Sequence, residues 1–216
     1  PDEILAEYKI QFESLFGILT IEYPLKAEDV RSFCISSEIS IIVLNESDKP
    51  DVKLFSLFHE LCHLLKKSNA LCSMETKSTN ADDVEYFCNE FAAEILVPAD
   101  DLKIKIANES ITEKKISDLV KAYCVSKQVI MLRLLSQGII PQERYNYFKA
   151  KFDGSLVEKS KFGKRNWEKV YRNRVGNMTI KEVNSAYKRG RISSSDVRNI
   201  LNVKSKYVDK FIEGRG

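Results

Sequence analysis

The chain of 216 residues contains two histidines, and both lie in the run His59-Glu60-Leu61-Cys62-His63, an H-E-x-x-H pattern. On a helix, positions four residues apart project from nearly the same face, so both imidazoles can reach one metal ion. Glu60 is rotated by about a quarter turn from His59 and can reach a water molecule held by that metal without occupying a coordination position. The run therefore favours a zinc site with Glu60 as general base.

A third zinc ligand must come from elsewhere in the chain, because catalytic zinc sites usually have three protein ligands and no further histidine exists. A second predicted helix begins near Asp82 and ends before Pro98. Glu85 lies beside its apolar stripe, so we expect His59, His63 and Glu85 to hold Zn²⁺. The glutamates further along this helix, Glu90 and Glu94, are interpreted as solvated charges. Cys62 is an alternative soft ligand, although a buried thiol is the favoured interpretation of both Cys62 and Cys88.

Two helices must position these groups. Apolar residues at three- and four-residue spacing predict a helix over residues 52–66 and a second one from residue 82. The predicted buried stripes are Leu54, Leu57, Phe58, Leu61, Leu64 and Leu65 on the first helix, and Val84, Phe87, Cys88, Phe91 and Ile95 on the second. A helix near residues 2–16, extended segments near 18–22 and 30–45, and a polar loop at 67–79 complete this part. The predicted fold class is α+β, dominated by helices, with a small β-sheet beside the H-E-x-x-H helix.

Charge and cysteine content point to further properties. From Tyr145 onward the sequence has 18 Lys and Arg and 7 Asp and Glu, a net charge of +11, whereas residues 1–144 have a net charge of −8. This basic region suggests contact with nucleic acid or an acidic protein surface, and the alternative is a solvated layer of packed helices. The five cysteines form no C-x-x-C pair, which favours a reducing compartment, the cytoplasm. No stretch approaches the roughly 18 apolar residues of a membrane span.

Two linked motifs resemble those of the ImmA/IrrE metallo-endopeptidases, H-E-x-x-H zinc peptidases. They are H-E-L-C-H-L-L at residues 59–65 and E-x-x-C-N-x-F-A-A-E-I-L-V-P at residues 85–98. The family's usual motifs read H-E-L-G-H-L-L and E-x-x-A-N-x-F-A-A-x-L-L-M-P, so Cys62, Cys88 and Val97 are departures. The similarity covers about residues 10–145 well and the surroundings of residues 190–193 only loosely. It implies a zincin-like core over residues 1–105 and a helix-turn-helix-like module over 106–145, and the charge asymmetry adds a basic helical module over 146–216.

The resemblance also implies a function. A cytoplasmic zinc-dependent endopeptidase would cleave a helix-turn-helix transcriptional repressor, encoded on a mobile element or in a stress-response or toxin–antitoxin-like operon, and so relieve repression. Zinc peptidases often place a histidine or tyrosine over the scissile carbonyl oxygen, and since no histidine remains, Tyr145, Tyr147 and Arg133 are the candidates. Asn89 is predicted to orient a metal ligand.

Two other hypotheses belong to different classes. In the first hypothesis, the chain is a non-proteolytic regulatory partner of a repressor or a toxin–antitoxin component, and zinc is structural or absent. In the second it is a DNA-binding regulator that acts through the basic region. The helix pair predicted at residues 116–138 lacks a basic recognition helix, so we interpret it as structural or substrate-docking.

Overall fold

The computed structural model describes residues 1–25, 30–70, 81–107, 109–153 and 166–212. These residues form a helix-dominated α+β fold, which confirms the predicted fold class, and none of their helices has the length and apolar character needed to cross a bilayer. The elements in chain order are α1 (Asp2–Phe16), β1 (Leu19–Tyr23), β2 (Ser32–Ile35), β3 (Ile41–Asn45), α2 (Pro50–Ala70), α3 (Ala81–Leu96), α4 (Ala99–Ile106), α5 (Glu113–Tyr123), α6 (Lys127–Ser136), α7 (Gln142–Asp153), α8 (Trp167–Val175), α9 (Asn177–Lys188), α10 (Ser194–Leu201) and α11 (Ser205–Ile212).

The sheet has the strand order β1-β3-β2. β3 is central, parallel to β1 with Leu19 opposite Ile41, and antiparallel to β2 with Ile35 opposite Ile41. The segment predicted as extended over residues 30–45 is therefore two strands joined by a turn around Ser37, where polar residues interrupt the apolar run. Because β3 is flanked on both sides and packs against α2, Ile42 and Leu44 are fully buried.

The H-E-x-x-H helix is α2, which is longer at both ends than the predicted range of 52–66. Five residues of its predicted apolar stripe are buried, as predicted: Leu54, Leu57, Phe58, Leu61 and Leu64. The prediction for Leu65 is wrong, because this side chain is 52% exposed and lies about 100° around the helix from Leu64. Most of the predicted polar loop at 67–79 lies outside the described residues.

Helix α3 packs against α2 through small side chains. The buried positions follow a four-residue spacing, Cys88, Ala92 and Leu96, with Ala93 beside them. The predicted stripe is wrong at Phe87 and Ile95, which are 50% and 39% exposed. Periodicity alone favoured the larger apolar residues, whereas small ones let the two helices approach closely. Phe87 instead lies under the ammonium group of Lys66, 4.0 Å from its ring centroid.

The helix pair predicted at residues 116–138 is formed by α5 and α6. A three-residue turn joins them and begins at Cys124, whose φ of 56° is left-handed. α6 is largely buried against the core that contains α2, through Val129, Ile130 and Leu134. A helix covered in this way is not free to enter a DNA groove, which agrees with a structural or docking role.

Helices α8 to α11 form a second hydrophobic cluster and lie against the first part of the chain. α8 packs along β1, the Met178 amide donates a 3.0 Å hydrogen bond to Glu13 Oε2, and Arg174 Nε donates a 2.7 Å bond to Glu46 Oε2. Part of the positive charge of the C-terminal region is thus directed at the acidic N-terminal region of the same chain. The cluster contains Ile180, Val183, Val197, Leu201, Val203, Val208, Phe211 and Ile212.

A buried ion network ties the first helix, the sheet and the H-E-x-x-H helix together. The carboxylate of Glu22, on β1, accepts a 3.0 Å hydrogen bond from Lys9 Nζ of α1 and a 2.7 Å bond from Lys53 Nζ of α2. All three residues are buried. Burial alone would raise the pKa of Glu22, but the two ammonium groups hold it below its usual value of 4.5.

Candidate metal centre

Three potential ligands from α2 and α3 converge on one point. His59 Nε2 and His63 Nε2 are 3.0 Å apart, Glu85 Oε2 lies 3.1 Å from His59 Nε2, and Glu85 Oε1 lies 3.2 Å from His63 Nε2. Ligand atoms about 2.0 Å from a tetrahedral zinc ion are separated by about 3.3 Å. The separations in this cluster therefore fit a zinc ion, and the structure brings together the three residues predicted as ligands.

The two imidazoles lie beside each other and near the aromatic ring of Phe55. The Phe55 ring lies 6.4 Å from that of His59 at a tilt of 32°, and the His59 and His63 rings are 4.8 Å apart. His59 Nδ1 is buried and has no hydrogen-bond partner among the described residues. Both histidines are about one-seventh exposed, so their Nε2 atoms face the cleft from a largely enclosed position.

Cys62 and Cys88 lie between the two helices. Both are buried, and burial together with a hydrogen bond to the Cys62 thiol raises the pKa of Cys88 to about 12. Cys62 is not part of the metal-binding cluster found among the described residues. The structure thus places both thiols in the core and lends no support to Cys62 as a soft ligand.

Glu60 is held by a residue that the sequence did not indicate. Its carboxylate is 6% exposed, and Oε1 accepts a 2.8 Å hydrogen bond from the hydroxyl of Ser32 on β2. Ser32 precedes Glu60 by 28 residues, and neither local spacing nor periodicity relates a strand serine to a helix glutamate. The only signal in the sequence is that Ser32 is a polar residue at the start of an otherwise apolar strand.

The cluster opens into a cleft of about 520 Å³. One wall is strand β2, and the other is formed by α2 and α3, with Phe55, Ser56 and Asn89 beside the ligands. β2 pairs with β3 on one side only, so among the described strands its other side is an edge. Asn89 lies one turn after Glu85 and lines the cleft, and its role in orienting a ligand stays a prediction.

The residues predicted to stabilise the oxyanion lie elsewhere. Arg133 is 2% exposed; its Nε donates a 3.1 Å hydrogen bond to the Val97 carbonyl, and its other nitrogens pair with Glu90 and Glu94. Tyr145 is buried in the first core. The described lining of the cleft includes neither residue, nor the largely exposed Tyr147.

Glu90 and Glu94 are not isolated surface charges. Glu90 Oε2 accepts a 3.3 Å hydrogen bond from Arg133 Nη1, and Glu94 forms an ion pair with the same guanidinium. Their side chains are 36% and 56% exposed, so both carboxylates are partly solvated, as interpreted from the sequence. Each of them also pairs with a buried cation between α3 and α6.

A protein-family model matches the chain. The model of the peptidase M78 family, described as the IrrE N-terminal-like domain, matches residues 13–135, more than half of the chain. The matched range contains His59, Glu60, His63 and Glu85, together with helices α5 and α6, and it ends before α7. No curated protein matched the chain.

Proposed function

Because the chain belongs to the M78 peptidase family with its IrrE N-terminal-like domain, a metallopeptidase function follows, and we propose that it is a zinc-dependent endopeptidase. One observation carries this proposal. The two imidazoles and the Glu85 carboxylate have the mutual separations of a tetrahedral zinc site, and Glu60 lies beside them in the same cleft.

The chain's own residues have distinct roles in this reaction. When bound, zinc would lower the pKa of a water molecule and polarise the scissile carbonyl. Glu60 would take a proton from the attacking water and pass it to the leaving amine. The Ser32 hydroxyl restricts the orientation of the Glu60 carboxylate, and His59, His63 and Glu85 would hold the metal.

The edge of β2 supports binding of an extended peptide. A strand with unpaired backbone groups can form main-chain hydrogen bonds with an added strand. Because β2 also carries Ser32, a peptide bound along this edge would pass directly over Glu60 and the metal ligands. The substrate segment is therefore proposed to bind in an extended conformation.

The proposed substrate is a helix-turn-helix transcriptional repressor, encoded on a mobile element or in a toxin–antitoxin-like operon, and its cleavage relieves repression. The resemblance of the two linked motifs to those of ImmA/IrrE peptidases supports this substrate class. The proposed location is the cytoplasm, where repressors act. Cys62, Cys88 and Cys124 form no disulfide, which is consistent with a reducing compartment.

The deciding experiment combines metal content with cleavage. We expect about one zinc per chain by mass spectrometry in the native protein and in Glu60→Gln, and loss of zinc in Glu85→Ala. Repressors encoded beside the gene should be cleaved by the native protein only. Unchanged cleavage by zinc-loaded Glu60→Gln would refute the mechanism.

A stoichiometric effect on a repressor that survives Glu60→Gln would instead favour the non-proteolytic regulatory partner. In that case relief of repression would scale with the protein-to-repressor ratio and leave the repressor intact. The same samples distinguish the two functions, since cleavage is catalytic and sequestration is not.

A second candidate function rests on a basic groove between α8 and α9. Arg172, Lys181, Lys188 and Arg189 line a groove of about 580 Å³, and we propose that it contacts nucleic acid. If the groove contacts phosphates, the logarithm of the affinity for DNA should fall linearly with the logarithm of the salt concentration.

The salt dependence can be assigned to this groove with a matched pair of variants. Lys181→Glu with Lys188→Glu should weaken DNA binding and flatten its salt dependence, measured by fluorescence anisotropy. The control, Lys103→Glu with Lys114→Glu, changes the net charge equally outside the groove. Equal losses in both double variants would show a non-specific charge effect.

A further inference from the structure

A second cavity adjoins the cleft of the metal centre. It has a volume of about 540 Å³ and lies between α2, α3 and α6. Cavities of this size accommodate side chains or small ligands. Its apolar wall consists of Val52, Phe55, Ala93, Val129, Leu132 and Leu135.

The two cavities share part of their lining. Arg31, Phe55 and Asn89 contact both. Phe55 precedes His59 by one helical turn and Asn89 follows Glu85 by one turn, so these two shared residues lie about 6 Å along their helices from the metal ligands. Any polypeptide bound at the ligands therefore passes the mouth of the second cavity.

Both arginines that line this cavity have carboxylate partners. The guanidinium of Arg133 pairs with Glu90 and Glu94, and Arg31 Nη1 lies 3.8 Å from Asp48 Oδ1. A cation that is already paired attracts an acidic side chain only weakly. It also costs less to cover with an apolar side chain than an unpaired cation would.

Apolar surface at the rim is left exposed to solvent. Leu132 is 44% exposed and Tyr86 is 66% exposed, and both line the cavity. A bound side chain that covered them would remove this apolar area from water. The cavity is thus complementary to an apolar group rather than a charged one.

We propose that this cavity is a specificity pocket that receives a large apolar side chain, such as Leu, Met or Phe, of the polypeptide substrate. An extended chain advances about 3.3 Å per residue, so the bound residue lies two or three positions from the scissile peptide bond. This inference rests on the proposed function for the position of the cut, but the binding of the side chain needs no catalysis.

The preference has a consequence for the substrate. Large apolar residues of a folded protein are mostly buried. The recognised segment must therefore open locally before its side chain enters the pocket, so cleavage is faster at sites of low local stability.

A peptide-retention experiment tests the pocket separately from the chemistry. Zinc-loaded Glu60→Gln protein is immobilised and exposed to a tryptic digest of casein, and retained peptides are identified by mass spectrometry. Peptides with Leu, Met or Phe should be retained at least tenfold better than peptides without them, by analogy with apolar pockets that distinguish side chains by one methylene about 10- to 200-fold.

The variant Leu132→Trp, made in the same background, places a bulky ring at the pocket mouth and should abolish this enrichment. Leu15→Trp is the matched control, because Leu15 is exposed on α1 and lies outside both cavities. Tyr86→Ala is a second variant, which should reduce the enrichment by removing part of the rim. Circular dichroism and melting temperature verify that each variant is folded.

Cleavage-site profiling of unfolded casein by the protein with Glu60 intact supplies the second readout. Enrichment of large apolar residues at one fixed position, lost in Leu132→Trp and kept in Leu15→Trp, would support the pocket. Retention that does not favour apolar peptides, or that Leu132→Trp leaves unchanged, would overturn it. Selective retention without any cleavage would overturn the proposed function and leave the pocket as a peptide-binding site.

Discussion

The hydrogen bond from Ser32 to Glu60 is a direct link between the sheet and the proposed general base. A buried carboxylate that accepts one fixed hydrogen bond has fewer orientations available than a free one. Catalysis by proton transfer depends on this orientation, because the base must lie within hydrogen-bond reach of the proton that it abstracts.

We expect Ser32→Ala to lower kcat about tenfold while zinc content and melting temperature stay close to those of the native protein. Ser32→Thr keeps the hydroxyl and should restore most of the rate. Steady-state cleavage of casein, with metal analysis of the same preparations, makes the measurement. If Ser32→Thr and Ser32→Ala lowered kcat equally, the hydroxyl would have no role in positioning Glu60.

How far the site could be predicted depends on how its residues are linked. His59, Glu60 and His63 lie on one helix, so helix geometry alone gives their relation. Glu85 required a second helix and an argument from ligand number. The bond between Ser32 and Glu60 crosses 28 residues and joins a strand to a helix, and no periodicity contains that information.

Arg133 illustrates the opposite error at the residue scale. An arginine in an apolar helix near a predicted active site suggests a catalytic cation. Its burial between two glutamates of α3 is a tertiary property, which only the packing of α6 against α3 reveals.

At the scale of elements, the Glu22 network fixes α1 and α2 to β1. Removal of the central carboxylate would leave two buried ammonium groups without a counter-charge, since their other acceptors, Glu46 O for Lys53 and Asn173 Oδ1 for Lys9, are neutral. Breaking a buried ion pair by deleting one partner typically costs about 3–5 kcal/mol, because the remaining charge is uncompensated.

We expect Glu22→Gln to lower the free energy of unfolding by about 3–5 kcal/mol in urea denaturation at pH 7. Glu168→Gln is the matched control: it removes a partner of Arg172 at 3.2 Å in a pair that is one-third exposed on both sides. That loss should be about 0–1 kcal/mol. If both variants lost the same free energy of unfolding, the Glu22 network would not stabilise the protein more than an exposed ion pair does.

The lowered pKa of Glu22 also sets a pH dependence. Since the pKa in the folded protein lies below the unfolded value of 4.5, the network stabilises the protein fully above that pH and loses its contribution as pH falls through the folded pKa. The difference in melting temperature between the native protein and Glu22→Gln should therefore be constant near neutrality and shrink below pH 4.5. If this difference in melting temperature increased as the pH fell, the pKa of Glu22 would not be lowered in the folded protein.

The elements themselves were predicted unevenly from the sequence. α1 and the H-E-x-x-H helix were found because their apolar residues recur with helical spacing. The hairpin of β2 and β3 was read as one segment, since both strands are apolar and the turn between them is short. On α3, the buried face consists of small residues, and hydrophobic periodicity gives most weight to large ones.

At the scale of the whole molecule, Gly176 lies where the C-terminal cluster meets the sheet. Its φ of 85° with ψ of 145° falls in a region that only glycine adopts readily, and a Cβ at this position would collide with the Leu19 side chain of β1. The residue ends α8 and begins α9, so the path of the chain around β1 depends on it.

We expect Gly176→Ala to lower the free energy of unfolding by about 2–4 kcal/mol, from backbone strain and displacement of Leu19. Gly190→Ala is the control, because Gly190 also has a positive φ, of 68°, but a Cβ there would meet no atom within 4 Å. Strain alone should cost about 1–2 kcal/mol. Chemical denaturation of both variants makes the comparison, and equal costs would mean that contact with β1 is unimportant.

The charge asymmetry of the chain has its explanation partly at this same scale. The sequence suggested that the basic C-terminal region contacts a separate partner or, alternatively, forms a solvated layer of packed helices. In the structure its Arg174 pairs with Glu46, and its Lys169 Nζ lies 4.0 Å from Asp2 Oδ1. Composition records that opposite charges lie in two halves of a chain but not that these halves face each other.

The packing of α8 along β1 also bears on when the protein matures during its synthesis. Strand β1 is an edge of the sheet on the side away from β3, and the helix that covers it is encoded roughly 130 residues after the sheet is complete. At about 5–20 residues per second, a ribosome needs roughly 6 to 26 s to add that length. During this interval β1 lacks the helix that packs against it and is accessible to chaperones, and the arrangement of α1, β1 and α8 is complete only after α8 has been synthesised.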